Sequence, residues 1–364
     1  MSVTKYVKSM GNLIIFSDLH SNPFKQYSTV TEDGTNSRLN DAISCIDQIR
    51  EYAEKTRPDC VIFTGDLFDT RTGPDTKTLQ KTYDAIHKFK KSNIHLYLLV
   101  GNHDMQDRAG KFHSLHVFKE IANVIDKPGW YVLQGKTRSY PSLCIPYLED
   151  VENLKEIFNL PPSRGAGSKM FLGHMGVVGT EAGSNFVYRN PVEATIADLP
   201  SKNFDVGFLG HFHKHQNIVD NFWYVGAPLM HNWGDVGQSR GFLEYNTNTK
   251  ELKQLPLNSP KFIEIDAVQA HTTALRGNYV RLVDSKEWSV DKKQEFAETA
   301  GTKHFDVIKP KTKEIEHNIR MSIDAGFSLS DVVEQYVSSG IVDLDDLEED
   351  ALIALGQEIV ESVE

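Results

Sequence analysis

The sequence predicts an α/β protein with a layered β-sandwich core that is flanked by helices. Between Asn12 and Ile145, short apolar strands alternate with amphipathic helices, and after Tyr131 the pattern becomes rich in strands. Alternation of strand and helix predicts parallel strands joined by crossover connections. A small α+β cap and a helical, acidic C-terminal tail are predicted to follow this core.

The first half supplies three strands and two helices. The strands are predicted at residues 13–16, 60–63 and 95–100, where apolar residues run without interruption. Helices are predicted over about 37–56 and 76–91, where apolar residues recur at three- and four-residue spacing. The three strands are therefore expected to lie parallel in one sheet.

The second half is predicted to complete the core and then add a cap and a tail. Further strands are predicted at 143–147, 169–172, 206–209, 222–225 and 241–245, and the cap at 262–265, 279–283 and 304–308 with a helix near 291–299. The expected divisions are an N-terminal extension (1–10), a catalytic domain (11–258), an α+β cap (259–325) and a partner-binding tail (326–364).

Composition sets broad limits on function. The chain has 364 residues, 40% hydrophobic and 24% charged, which is typical of a soluble globular protein. Its three scattered cysteines predict reduced, buried thiols in a cytoplasmic protein. The net charge is −11, but residues 341–364 contain nine acids and no Lys or Arg, leaving 41 acids and 39 bases elsewhere. A nearly neutral body does not exclude DNA as a substrate.

Five short motifs occur in one order, each at or just after a predicted strand. They are Asp18-Leu19-His20, Gly65-Asp66-Leu67-Phe68-Asp69, Gly101-Asn102-His103-Asp104, Gly173-His174 and Gly210-His211-Phe212-His213. Open α/β sheets place their sites at the carboxyl ends of strands. Together the motifs provide ligands for two divalent cations about 3.5–4 Å apart. The alternative, in which Asp and His only cap strand ends, explains one motif but not five.

Asp66 is predicted to bridge the two cations, because a carboxylate can give one oxygen to each. The other predicted ligands are Asp18, His20 and His213 for one ion and Asn102, His174 and His211 for the other. This mixture of carboxylate, amide oxygen and imidazole favours Mn²⁺ or Fe²⁺ over Ca²⁺, and the absence of cysteine argues against structural zinc. We expect two Mn²⁺ ions, with Fe²⁺ or Mg²⁺ as alternatives.

His103 follows a predicted ligand and is interpreted as the general acid that protonates the leaving alkoxide, with Asp104 orienting its ring. A further ligand and a structural histidine paired with an Asp are the alternatives. Asp69 is expected to shape its loop. The predicted substrate contacts are Lys25, Arg71, Arg108 and Lys214, with Lys77, Lys111 and Arg189 as further candidates. Each could equally be a solvated charge.

The ordered motifs resemble the calcineurin-like metallophosphoesterase superfamily over about residues 12–246. The chain departs from the Ser/Thr protein phosphatases, because Asp69 is followed by Thr70-Arg71 instead of Arg-Gly. It is more similar to the SbcD-type nuclease subunits of recombination and repair complexes, especially the compact T-even-like phage form. The similar segments are 173–179, 210–214, 224–228 and 240–242.

This resemblance implies a dimeric, Mn²⁺-dependent DNA nuclease that degrades duplex ends 3′ to 5′, nicks single strands and works with an SbcC-type, SMC-like ABC ATPase. A phage-encoded protein of this kind would act in the bacterial host cytoplasm. Some members have His at the position of Asp69. The alternative functions are a metal-dependent small-molecule phosphodiesterase or phosphatase on the same core, and a non-catalytic scaffold, which the complete set of motif ligands disfavours.

The tail is predicted to dock a protein partner. Leu344, Leu347, Ala351, Leu355 and Ile359 recur at helical spacing, so a helix over 343–361 would have one apolar stripe backed by carboxylates. In the resembled family, helices after the cap bind the ATPase coiled coil. The alternative is that the helix folds back onto the cap.

Overall fold

The computed structural model describes most of the chain up to residue 310 and a short piece near the C-terminus. The described residues are 11–70, 72–106, 111–148, 154–161, 168–183, 186–187, 194–266, 269, 274–286, 288–310 and 352–354. Two compact units are formed, Met1–Ile308 and Lys309–Glu364. Residues 352–354 are helical, and the rest of the predicted tail helix lies outside the described residues.

A six-stranded mixed sheet forms the first layer of strands. In spatial order its strands are β14 (Glu251–Leu255), β13 (Phe242–Asn246), β1 (Asn12–Phe16), β2 (Cys60–Phe63), β3 (Leu96–Leu99) and β4 (Asn123–Ile125). Strands β1 to β4 are parallel, with Leu13 beside Cys60 and Phe16 beside Phe63. Strand β13 is antiparallel to both β1 and β14. The carboxyl ends of the four parallel strands therefore meet at one edge.

A second six-stranded sheet forms the other strand layer. In spatial order its strands are β11 (Gln216–Val219), β12 (Phe222–Tyr224), β10 (Val206–Gly210), β7 (Met170–His174), β6 (Ser139–Ile145) and β5 (Gly129–Gln134). The four inner strands are parallel, and each outer strand is antiparallel to its neighbour. The carboxyl ends of these four parallel strands therefore also lie at one edge of their sheet.

The two sheets pack face to face, and helices cover their outer faces. The helices are α1 (Ser37–Thr56), α2 (Thr76–Lys91) and α3 (Leu154–Phe158). Leu13 and Ile15 of β1 pack with Phe208 of the second sheet, whereas Ile14 and Phe16 pack with residues of α1 and α2. Helix α3 joins the outer cluster of the second sheet. Successive side chains of a strand point to opposite faces of the sheet. The apolar residues of β1 therefore contribute both to the core between the two sheets and to the core between the sheet and its helices.

Local sequence sets the ends of α1. The side chain of Asn36 accepts hydrogen bonds from the backbone N–H groups of Arg38 and Leu39, which otherwise lack helical partners. At the other end Arg57 adopts the left-handed conformation, and Pro58 follows it. Such a terminus ends the helix, and the chain then changes direction and enters β2.

A smaller three-stranded parallel sheet follows the sandwich. It contains β15 (Phe262–Ile265), β16 (Tyr279–Val283) and β17 (His304–Ile308), with α4 (Val290–Ala300) packed on it, and a separate hairpin contains β8 (Glu181–Gly183) and β9 (Phe186–Val187). The sheet contacts the sandwich domain through the ion pair Lys303–Asp41 (2.6 Å) and through Tyr27, which meets the rings of Phe262 and Tyr279.

The predicted α/β class and β-sandwich are confirmed, and both predicted long helices occur with the predicted bounds. Strands β4, β5, β11 and β14 were not predicted, because they lie at or near sheet edges and include half-buried or exposed positions. All three cysteines are buried and unpaired. Among the described residues, no helix is both long and apolar enough to cross a membrane.

Candidate metal centre

The predicted ligands converge at the edge where parallel strands of both sheets end. Asp18, Asp66 and Asn102 lie in the loops that follow β1, β2 and β3, while His174 ends β7 and His211 follows β10. His20 and His213 come two residues after members of this set. All seven predicted ligands are described and brought together, because the sandwich places the carboxyl ends of both sheets side by side.

Asp66 lies between histidines from the two sheets. Its Oδ2 is 3.3 Å from Nε2 of His174 and 3.7 Å from Nε2 of His20. Its Oδ1 accepts a hydrogen bond from the backbone N–H of His103 at 2.9 Å. This arrangement gives Asp66 the central position that a bridging carboxylate requires.

On one side of Asp66, three predicted ligands form a compact group. Candidate ligand atoms of Asp18, His20 and His213 all lie within 4.8 Å of one another, and the Nε2 atoms of the two histidines are 3.1 Å apart. Oδ1 of Asp18 accepts the backbone N–H of His211 at 3.0 Å, whereas Oδ2 is buried without a hydrogen-bond partner. A buried carboxylate oxygen without a partner is costly unless a cation or donor satisfies it.

On the other side, Oδ1 of Asn102 is 3.0 Å from both Nε2 of His174 and Nδ1 of His211. Nδ1 of His174 is 2.7 Å from the carbonyl oxygen of Thr64, so that ring nitrogen donates its proton to the carbonyl. Nε2 of His174 is then the ring nitrogen that faces the centre, and it would bind a cation through its lone pair, as in metal-ligating histidines. The mixed set of imidazole nitrogens with carboxylate and amide oxygens on the two sides fits divalent transition-metal cations.

Four predicted ligands have a backbone conformation that non-glycine residues seldom adopt. The φ angles are +51° for Asp18, +49° for His20, +63° for Asp66 and +108° for His211. Each such residue costs on the order of 1–3 kcal/mol and persists only where its surroundings enforce it. The concentration of these angles at one place is typical of a functional site.

Two glycines allow the loops to approach closely. Gly65 has φ +110°, and a Cβ there would lie 2.2 Å from Nδ1 of His174. A Cβ at Gly101 would lie 2.2 Å from Oδ1 and 2.3 Å from the backbone nitrogen of Asp66. A side chain at either position would displace a predicted ligand.

The predicted partnership of His103 with Asp104 is wrong. The Asp104 carboxylate is buried and accepts backbone N–H bonds of 3.0–3.1 Å from Asp66, Leu67, Phe68 and Gly101, so it joins the second and third motif loops. Nδ1 of His103 instead donates to the carbonyl oxygen of Asp69 at 2.7 Å. The ring is therefore oriented by the backbone, because Asp104 is already engaged by four donors.

Asp69 contacts the centre as well as shaping its loop. One carboxylate oxygen lies 3.2 Å from Nδ1 of His20, and the other accepts a hydrogen bond from Asn22 at 3.0 Å. Ligand-type atoms of Asp69, His20 and His103 also lie within 4.8 Å of one another. The carboxylate faces the ring nitrogen of His20 that points away from His213, a position suited to orienting that imidazole.

Burial and neighbouring charges perturb the protonation of the centre. Burial favours a higher pKa for Asp66, but His174, His20 and His103 lower its pKa below the usual range. Burial favours a lower pKa for His174, yet Asp66 and Asp18 raise that pKa to about 9. Burial and the neighbouring His174 lower the pKa of His211 to about 3. Such opposed shifts within one cluster are typical of functional sites.

Of the seven predicted substrate contacts, four lie in the described part of the chain: Lys25, Lys77, Lys111 and Lys214. Lys25 is exposed, and Lys214 forms an ion pair with Glu181. Lys77 donates to the carbonyl oxygen of Gly34 at 2.7 Å. Arg71, Arg108 and Arg189 lie outside the described residues.

Two residues near the centre were not predicted from the sequence. His231 is buried, with its ring centroid 5.2 Å from that of His20 and 4.9 Å from that of His213. Tyr147 stacks on His211 with centroids 6.1 Å apart and an interplanar angle of 27°. Neither residue belongs to the five short motifs at strand ends that identified the ligands.

The calcineurin-like phosphoesterase family matches residues 11–215, which include all seven predicted ligands. The chain belongs to this family. The expected fold, a metallophosphoesterase core of mixed sheets and helices, is thereby confirmed. Members of such a family hydrolyse phosphoesters with divalent metals, and the cluster around Asp66 offers matching ligands.

Curated relatives of this chain include a putative phosphoesterase, 244L of Invertebrate iridescent virus 6 (23% identical over 63% of this chain and 78% of its own length), and proteins named as nucleases or DNA-repair proteins. Exonuclease subunit 1 of Enterobacteria phage T4 is 26% identical over 60% of this chain and 61% of its own length. The SbcD component of nuclease SbcCD from Staphylococcus epidermidis is 22% identical over 62% and 66%. The DNA double-strand break repair protein Mre11 of Methanocaldococcus jannaschii is 34% identical over 49% and 45%. The chain therefore spans about half to two thirds of these last three relatives.

Proposed function

We propose that this protein is a DNA nuclease that hydrolyses phosphodiester bonds with two divalent cations, preferentially Mn²⁺. The proposed ligands are Asp66 as the bridge, with Asp18, His20 and His213 on one ion and Asn102, His174 and His211 on the other. The observation that supports it most strongly is the convergence of these side chains, from loops of both sheets, around one buried carboxylate.

The arrangement assigns separate tasks to the chain's residues. Bound divalent cations would provide Lewis acidity and a nucleophilic water at the phosphate. His103, held at Nδ1 by the carbonyl of Asp69, would present Nε2 as the proton donor to the leaving oxygen. Asp104 would hold the loops of Asp66 and Asn102 together through its four backbone hydrogen bonds.

DNA is proposed over a small-molecule substrate because three of the relatives described above are named as nucleases or a DNA-repair protein. We further propose that the protein acts with an SbcC-type ATPase, since two of the relatives are named as subunits. A homodimer in the cytoplasm is proposed from the family resemblance of the motifs alone. The alternative is a small-molecule phosphodiesterase or phosphatase, which the same centre could support.

A cleavage assay with Asp66→Asn tests the metal centre. We expect wild-type cleavage to require Mn²⁺ and the variant to lose at least about a thousandfold, because it loses the charge of the proposed bridge. Asp84→Asn, an exposed carboxylate on α2, is the matched control and should retain activity. Undiminished cleavage in EDTA, or by Asp66→Asn, would contradict the proposal.

A substrate comparison tests DNA against small esters. Purified protein with Mn²⁺ is given labelled duplex DNA, single-stranded DNA and bis-p-nitrophenyl phosphate, each with and without a candidate ATPase. We expect cutting of both DNA forms. Turnover of the small ester with neither binding nor cutting of DNA would establish the alternative.

Truncation after Ser328 tests the proposed tail interaction. The acidic tail would repel phosphates, so a basic protein surface is its expected partner. We expect the truncated protein to keep Mn²⁺-dependent cleavage and to lose co-purification with the ATPase. Full retention of the ATPase would place docking elsewhere in the chain.

A further inference from the structure

His231 lies beside the proposed metal centre but belongs to none of the five motifs. It is located in the connection between β12 and β13 and is 8% exposed. Its ring meets those of His20 and His213, two proposed ligands of the same ion, at centroid distances of 5.2 and 4.9 Å. A third histidine is thus packed directly against this pair.

The ring of His231 makes a directed contact with the first motif. Nε2 lies 3.1 Å from the carbonyl oxygen of Asp18. A carbonyl only accepts, so Nε2 carries the proton and donates it. Asp18 has φ +51° and His20 has φ +49°, so the acceptor lies in a strained stretch of backbone. The hydrogen bond therefore holds a segment that has little intrinsic preference for its conformation.

The backbone of His231 is held from both sides. Its N–H donates to Oδ2 of Asp235 at 2.7 Å, and its carbonyl oxygen accepts from Nη2 of Arg38 at 2.6 Å. Asp235 also pairs with Arg240 at 2.6 Å, and Arg240 donates to the carbonyl oxygen of His213. One buried network thus fixes His231 and reaches the backbone of another proposed ligand.

Arg38 connects this network to the neighbouring sheet. Its guanidinium lies 4.4 Å from the ring centroid of Phe24 and 5.7 Å from that of Phe262 in β15. Arg38 is itself 8% exposed, so these contacts hold it in one position. The residue that anchors the His231 carbonyl is therefore itself buried and packed against two aromatic rings.

We propose that His231 is a positioning residue for the metal site formed by Asp18, His20 and His213. It acts by donating Nε2–H to the Asp18 carbonyl and by packing against the two imidazoles, and it is not itself a ligand. This inference rests on the proposed function, since it assumes that a divalent cation binds there.

Mn²⁺ binding to three proteins tests the proposal: wild type, His231→Leu and His231→Gln. The Leu variant removes the donor, whereas the Gln side-chain amide can place an N–H near the position of Nε2. Free Mn²⁺ is counted by its electron paramagnetic resonance signal in the absence of substrate. Loss of an outer contact to a ligand typically weakens metal affinity 10–100-fold.

We expect His231→Leu to weaken one of two bound Mn²⁺ ions by at least about tenfold and His231→Gln to restore affinity to within about threefold of wild type. His113→Leu is the matched control, because that side chain is 4% exposed and pairs with Asp126. It should leave both affinities unchanged even if it lowers the melting temperature.

The outcomes separate this inference from the proposed function. Wild-type protein that binds no Mn²⁺ would overturn the metal centre itself. Two tightly bound ions in His231→Leu would overturn only the role of His231. Equal weakening of both ions in the Leu and Gln variants, parallel to their loss of thermal stability, would show that His231 serves folding alone.

Discussion

The sandwich and the three-stranded sheet differ in how firmly they hold their side chains. Strands β2, β7 and β10 are buried at every position, and candidate ligands follow or end them. In the smaller sheet, β15 is buried only at its two end residues, β17 is buried only at Phe305, and α4 has no buried residue. A site that needs sub-ångström placement is supported by elements covered on both faces.

The largest effect on activity is expected at His103, which lies in the loop after β3 of the sandwich. His103→Gln should reduce turnover by about 10²–10⁴-fold, because general acid catalysis contributes this much, while both Mn²⁺ ions remain bound. Turnover by DNA cleavage and metal binding by calorimetry are measured on the same preparation. His116→Gln, at an exposed position, is the control. A variant that binds fewer than two ions would make His103 a ligand.

A matched pair of glycine substitutions compares the two regions directly. Gly101→Ala would place Cβ 2.3 Å from the backbone nitrogen of Asp66, so we expect both activity and stability to fall severely. Gly277→Ala, before β16, meets nothing within 4 Å but has φ +75°, so about 1 kcal/mol should be lost.

Denaturant unfolding and cleavage assays measure the outcome of both substitutions. Equal losses of unfolding free energy in the two variants would contradict the expectation that the backbone at the metal centre is more closely packed than the backbone before β16. Normal DNA cleavage by Gly101→Ala would show that the Asp66 loop tolerates displacement.

A smaller effect is expected at the ion pair that joins the smaller sheet to α1. Lys303→Met removes the contact with Asp41, whose carboxylate is 18% exposed while Lys303 is 29% exposed. Partly exposed pairs contribute about 1 kcal/mol or less, so the melting temperature should fall by a few degrees and Mn²⁺ affinity should not change. A change in metal binding would instead show that docking of this sheet sets the geometry of the centre.

The last prediction concerns the three buried thiols, Cys45, Cys60 and Cys144. Burial raises the pKa of the Cys45 thiol to about 12 and raises the pKa values of Cys60 and Cys144 as well. In the unfolded chain such thiols ionise near pH 8.5, so the unfolding free energy should decline as the pH rises above about 8.5 towards 12. A thiol reagent at pH 8 should modify none of the three in folded protein and all three in denaturant. Rapid modification of folded protein would show that the sandwich opens locally.

Much of the core could be predicted because one signal repeats in it. Strands β1, β2 and β3 are continuous apolar runs, and α1 and α2 show clear helical spacing, so their local sequence and their burial agree. The edge strand β14 (Glu251–Leu255) has mixed polarity and is defined by pairing with β13, which local sequence does not encode.

For the site, Asp, Asn and His residues in five short motifs at strand ends, four of which place a glycine directly before a ligand, were sufficient to nominate the ligands. Their nearness came from the fold, which brings His174 and His211 of the second sheet to Asp66 and Asn102 of the first. The sequence alone also paired His103 with the adjacent Asp104, whereas the folded backbone offers the carbonyl of Asp69. Adjacency in sequence does not specify which way two side chains turn.

By itself, the sequence determined the layered α/β class, the positions of most core strands to within a few residues and the chemical types of the ligands, because apolar periodicity and turn glycines act over a few residues. Only the tertiary structure decided that Asp104 joins two loops, that Asp69 faces His20 and that His231 meets the carbonyl of Asp18. Those contacts join residues 38 to 213 positions apart. They depend on backbone angles and on the packing of two sheets, which no local pattern of residues encodes.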